Sequence, residues 1–163
     1  MTALQFLQWL EASALGQATR ALGVWSYGII NLAHILGIAM LFGSILLLDL
    51  RLLGAWRQIP LAVWSGPTTF MARVGFLLAV CTGIPMLSVN ATEYAGNPFL
   101  LVKFPAIALA LLNVWLVHRS EAWRAHRLRE LMPRERRRLA VGAILSLVFW
   151  LTAITGGRML GYW

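Results

Sequence analysis

The run IINLAHILGIAMLFGSILLL, Ile29–Leu48, decides the fold. Its twenty residues hold a single ionisable side chain, His34. As a helix rising about 1.5 Å per residue, such a run crosses ~30 Å of hydrocarbon. Comparable runs recur along the chain, and spans are expected at about 25–48, 70–89, 99–117 and 139–155. Of 163 residues, 60% are hydrophobic and only 12% charged, with a mean hydropathy of +0.72. A soluble domain of that size could not cover itself with polar surface. The expectation is an all-α integral membrane protein: one domain, 1–163, forming an up-down four-helix bundle.

Outward from that run, the N-terminus lacks the basic start and the apolar core of a cleaved signal, because Glu11 falls where the core would be. Within residues 2–15, Gln5, Gln8 and Glu11 recur every third position, with Leu4, Leu7, Trp9 and Leu10 mostly elsewhere. That spacing predicts an amphipathic helix at the membrane interface. The connection 49–69 carries Pro60 and Ser65-Gly66-Pro67, which read as turn signals. Segment 120–130 is expected to prolong the third span until Pro133 interrupts it. Pro85 and Pro105 lie inside spans and should loosen them.

The net charge of +8 does not point to nucleic acid. Eight of the thirteen arginines lie in Arg119–Arg138, between the third and fourth spans, and Arg51, Arg57 and Arg73 flank the first connection. The remaining connection, 90–98, has Glu93 as its one charge. This asymmetry places the basic connections in the cytoplasm and both termini outside. The Arg119–Arg138 segment is expected to meet anionic lipid headgroups. Cys81 is alone, so neither an internal disulfide nor a thiolate cluster can form. Trp25, Trp64, Trp123 and Trp163 fall near interfaces and read as an aromatic belt.

An imidazole in hydrocarbon needs a partner or a metal. Five residues inside its span, His34 lies about 6–8 Å below the boundary; Lys103 lies at nearly the same depth in the third span. Arg158 returns to that side at the end of the fourth. Asn31 flanks His34, and Gly37, one turn on, leaves room for a flat ligand. Asn113 shares the Lys103 face. His118 sits roughly 20 Å deeper by the helical rise, so a bis-histidine pair within one chain is disfavoured; His126 belongs to the basic connection.

One functional reading makes His34 the metal ligand of a b-type haem, with Lys103 or Arg158 as second ligand or propionate partner. A second makes His34 a hydrogen-bonded core residue paired with Asn113, a backbone carbonyl or Lys103, and a third gives it to another metal or a proton relay. Asp49 and Arg51 are expected to pair with Arg73 or the basic connection and fix helix ends. Gly157 and Gly161 form a small-xxx-small pair suited to helix contact or oligomerisation.

The segments WSYGIINLAHILGIAMLFGSILLLDLRLLG, TGIPMLS, NPFLLVK and LLNVWLVHR resemble a family of small bacterial four-helix membrane proteins of unsettled function. More distantly, histidine in the first span with lysine opening the third is similar to the HemJ type of membrane protoporphyrinogen oxidase, which binds haem b, and to copper-resistance D-type domains. That resemblance implies a haem-ligand role for His34 and a companion role for Lys103. The basic motif after the first span departs from the HemJ type: Asp49-Leu50-Arg51 stands where a proline and a further histidine occur. The expectation is a haem b protein of the bacterial inner membrane, transferring electrons between a donor such as quinol and an outer-side acceptor. Whether it is itself an enzyme is left open. The alternative is a cofactor-free anchor or accessory subunit of a larger membrane complex.

Overall fold

Hydrocarbon cannot hydrogen-bond a backbone, so apolar runs of this length become helices. The computed structural model describes residues 2–162. In order these are α1 (Ala3–Ala12), α2 (Ala14–Ala21), α3 (Gly23–Leu53), α4 (Leu61–Val89), a 3-10 turn (Ala91–Tyr94), α5 (Pro98–Arg119), α6 (Glu121–Ala125), α7 (Pro133–Met159) and a last 3-10 turn (Leu160–Tyr162). No strand occurs among the described residues. Among the described residues, four helices are long and apolar enough to cross a membrane: α3, α4, α5, and α7 with its closing turn. Only 6% of the most apolar stretch of α4 is buried by protein. Side chains such as Phe70 and Leu77 are exposed, and a lipid phase is the solvent that suits them.

The helix ends depart from the sequence expectations for local reasons. α4 starts at Leu61 and runs through Ser65-Gly66-Pro67 without a turn. Hydroxyls serve the backbone there: Thr68 donates to the Trp64 carbonyl at 2.6 Å. The third span does not continue beyond Arg119. Ser120 is extended (ψ 149°) and its hydroxyl caps the Trp123 N–H, starting the separate helix α6. Pro133 opens α7 rather than ending a helix, a position where its missing N–H costs nothing. Ser13 likewise splits the N-terminal region in two, its hydroxyl capping the Gly16 N–H.

The chain divides into two compact units. The first holds the residues up to Leu41 together with Arg73–Asn97. In it the N-terminal half of α3 meets the C-terminal half of α4 at backbone contact. A Cβ on Gly75 would stand 2.4 Å from the Leu41 nitrogen and 2.7 Å from the Gly37 carbonyl oxygen. Small residues at such a crossing bring helices close enough for dispersion to hold them in lipid. α1 and α2 are tied to the far end of α4. Glu11 accepts from the Thr92 N–H (2.7 Å) and hydroxyl (2.6 Å), while Arg20 donates to the Val89 and Glu11 carbonyls. The Thr92 bonds, with Arg20 nearby, hold the Glu11 carboxyl below the usual glutamate range.

The second unit holds Phe42–Ala72 and the chain from Pro98 onward. α5 packs along α7. Leu61, Ala122, Trp123 and Leu139 form a buried cluster, with Leu48, Leu52, Val117 and Leu131 against it. The Asn113 amide, 8% exposed, donates to the Gly142 carbonyl at 2.9 Å and pins α5 to α7.

Candidate functional site

In the first unit, α3 presents His34 to α4 half-buried. Its Nδ1 lies 3.0 Å from the Thr82 hydroxyl oxygen. That hydroxyl has one proton, and it is directed at the Leu78 carbonyl 2.6 Å away. Thr82 therefore accepts from His34, so Nδ1 carries the imidazole proton and Nε2 the lone pair. The next residue, Gly83, makes room for the ring: a Cβ there would come within 2.8 Å of the imidazole Cε1. Thr82 and Gly83 together fix the tautomer and the plane of the ring. The sequence offered Asn113, a carbonyl or Lys103 as partners; the structure supplies a hydroxyl one helix away.

The space beside Gly37 is not left for a flat ligand. Gly75 and Ala79 of α4 fill it, a Cβ on Gly37 standing 2.8 Å from the Ala79 nitrogen. Asn31 is exposed on α3.

Lys103, Arg158 and Asn113 belong to the second unit. The Lys103 side chain lies along the Gly156–Gly157 pair of α7, its Nζ 3.5 Å from where a Gly157 Cβ would be. Arg158 is exposed, donates to the Tyr162 hydroxyl at 2.5 Å and stacks on that ring. Asn113 spends its amide on Gly142.

The same unit contains a polar group that sequence reasoning passed over. Trp123, 7% exposed, is flanked by the imidazoles of His118 and His126, at centroid distances of 4.5 and 4.6 Å. His126 donates from Nδ1 to the Trp123 carbonyl and accepts at Nε2 from the Ser65 hydroxyl at 2.8 Å. Burial pushes the His126 imidazole below its ordinary value, and Arg127 and His118 add to this against the Trp123 bond. His118 donates from Nδ1 to the Val114 carbonyl. The density of arginine hid this arrangement; an i, i+5, i+8 His-Trp-His spacing was the available signal.

Asp49 does not join the ion pairs expected of it. It is 5% exposed, with the Ser146 hydroxyl within hydrogen-bond reach and Oδ2 without a partner. Arg51 turns instead to the Ile59 carbonyl. The ion pairs among the described residues are Arg129–Glu135 and Arg136–Glu130. No group of three or more His, Cys, Asp or Glu suited to a metal occurs among the described residues.

Four helices long and apolar enough to cross a membrane define a multi-pass, all-α membrane protein, with His34 bonded from one of them to Thr82 of the next. The chain belongs to a family of unknown function, DUF6644, which it matches over residues 6–163. No curated protein and no solved structure matches it.

Proposed function

We propose that this chain is a membrane haem b protein in which His34 ligates the iron and which carries electrons within a bacterial inner membrane. The observation that supports the reading is the Thr82 acceptor. Ligating imidazoles characteristically donate their second N–H to a fixed partner, which sets the tautomer and raises the basicity of the ligating nitrogen. Here the Leu78 carbonyl takes the Thr82 proton and Thr82 takes the Nδ1 proton; Nε2 would then be the atom offered to the iron. Gly83 holds the ring plane. Asn31, on the same helix, is the polar group for the haem edge. Haem would supply one-electron chemistry, its potential set by ligand identity and burial.

Arginine bias supports a cytoplasmic location for the basic connections, with both termini outside and Arg119–Arg138 against anionic headgroups. A lipid-soluble carrier such as quinol, or a redox protein, is the electron partner, and a second copy or another subunit is the source of any further axial ligand. The visible spectrum of the purified chain, supplied with haem during expression, tests this. A Soret band lost in His34→Ala and altered in Thr82→Val is expected. A folded, membrane-inserted chain with no Soret band, or one unchanged by His34→Ala, overturns it. Partners that co-purify whether or not His34 is present then favour the cofactor-free anchor.

A further inference from the structure

Arg73, which flanks the first connection in the sequence, is drawn into the interior of a helix by the early start of α4. That helix runs from Leu61 to Val89, so twelve residues precede Arg73 and sixteen follow it. At the helical rise Arg73 stands about 18 Å from the nearer end. The crossing with α3 gives a similar depth. Gly75, two residues on, meets the Leu41 backbone, and Leu41 is likewise interior to α3 (Gly23–Leu53). A charge at such depth is costly, and long cationic side chains reach headgroups from helix ends rather than from the middle. Yet Arg73 is exposed. Among the described residues no carboxylate pairs with it and no hydrogen bond engages it.

Arg73 belongs to a face of α4 that nothing among the described residues covers. Phe70, Leu77, Val80 and Ile84 are exposed, and with Arg73 they recur at steps of three and four. At 100° per residue the five fall within an arc of about 80°. Such a stripe is the seam along which one helix packs on another. Gly75, Ala79 and Thr82, which meet α3, lie on the opposite side of α4. The cation on the seam selects its occupant. A second copy related by a two-fold axis would bring Arg73 toward Arg73. Nor does another copy offer a carboxylate from its crossing helices, because Asp49 is buried and Glu135 is paired with Arg129. A lipid phosphate stays at the headgroup level, far from the middle of a helix. An apolar helix bearing one acidic side chain at matching depth fits both the seam and the charge, and exclusion of water strengthens the pair.

We infer that the Phe70–Ile84 face of α4 receives a transmembrane helix of a different protein, and that Arg73 pairs with an aspartate or glutamate on it. The inference is independent of His34 and of haem. A leucine-based transmembrane peptide of about 21 residues, with one central glutamate, is the probe. It is reconstituted with the full chain in phosphatidylcholine vesicles, and binding is read as energy transfer between labels on the two. Wild type should bind this peptide about tenfold or more tightly than the same peptide with glutamine. Arg73→Gln should erase the difference, and Arg73→Glu with a lysine peptide should restore it. Val80→Trp, which blocks the seam and leaves the charge, should weaken binding about tenfold. Leu32→Trp, at an exposed position of α3, should leave binding within about twofold. Equal binding of the two peptides by wild type, or a preference that survives Arg73→Gln, overturns the pairing. A preference abolished by adding phosphatidylglycerol would give Arg73 to a lipid phosphate, and energy transfer between copies of the chain that Val80→Trp removes would give the seam to self-association. Either result overturns the inference.

Discussion

Gly75→Ala is the most exacting perturbation of the first unit. The added methyl would stand 2.4 Å from the Leu41 nitrogen, 2.7 Å from the Gly37 oxygen and 3.0 Å from the Leu41 Cα. Backbone atoms cannot swing aside as a side chain does, so α3 and α4 must part by about 1 Å to regain ordinary van der Waals distance. Overpacking of this kind costs about 1–3 kcal/mol, and the absence of any flexible neighbour places this case near the upper end. Alanine is the better helix former by about 1 kcal/mol, which acts the other way. The net loss is about 2 kcal/mol, or about 4–8 °C in melting temperature for a chain of this size. Gly28→Ala is the matched control, since nothing lies within 4 Å of a Cβ there; it gains the helix preference and meets no clash. Thermal unfolding of both variants in one detergent, followed by tryptophan fluorescence, gives the comparison. Equal melting temperatures for the two would refute the close α3–α4 contact. The same parting would lengthen the 3.0 Å His34–Thr82 bond, two turns along.

Other regions make further predictions. Glu11 is held ionised by Thr92, so its contribution is complete above about pH 4.3 and is lost as pH falls through the depressed folded value. Amide exchange in α1 should therefore accelerate, relative to intrinsic rates, between pH 5 and the acid limit, as should Thr92; Glu11→Gln should remove the pH dependence. His126, buried and neutral, contributes fully above about pH 6.5, and its stabilisation declines as pH falls toward its lowered folded value. The fluorescence of Trp123 should report this opening, and His126→Gln should flatten the titration. Asn113→Ala strands the Gly142 carbonyl and should cost about 0.6 kcal/mol, the average for interhelical bonds in membranes, and at most about 1.7; an unchanged melting temperature would show that the bond contributes nothing.

Hydropathy carried the four spans, because a helix is the one economical structure for an apolar run of that length in lipid. It carried their ends less well. The turn residues Ser65, Gly66 and Pro67 lie inside α4 because the need to bond every backbone group outweighs their local preference. Ser120 broke a helix that spacing alone had prolonged, since one hydroxyl capping one N–H is invisible to periodicity. At the site, His34 was legible as an anomaly in composition, but its partner was not. Thr82 is 48 residues away and unremarkable in sequence. Gly37 was read as room for a flat ligand, and only tertiary packing decides that α4 occupies that space instead. Asp49 and Arg51 were expected to meet Arg73 or the basic connection, yet Asp49 is buried beside Ser146 and Arg51 bonds the Ile59 carbonyl, partners that charge in the sequence does not reveal.

The four crossing helices differ in length, and this has a consequence for where the protein is comfortable. α5, with 22 residues, extends about 33 Å at the helical rise, close to the hydrocarbon thickness of an ordinary bilayer. α3, with 31 residues, extends about 46 Å and must tilt or protrude. A thicker membrane is readily matched by the long helix but strains the short one, whereas a thinner membrane asks only for more tilt. The shortest helix thus sets an upper limit on bilayer thickness, and lipids with longer chains should destabilise this protein before lipids with shorter chains do.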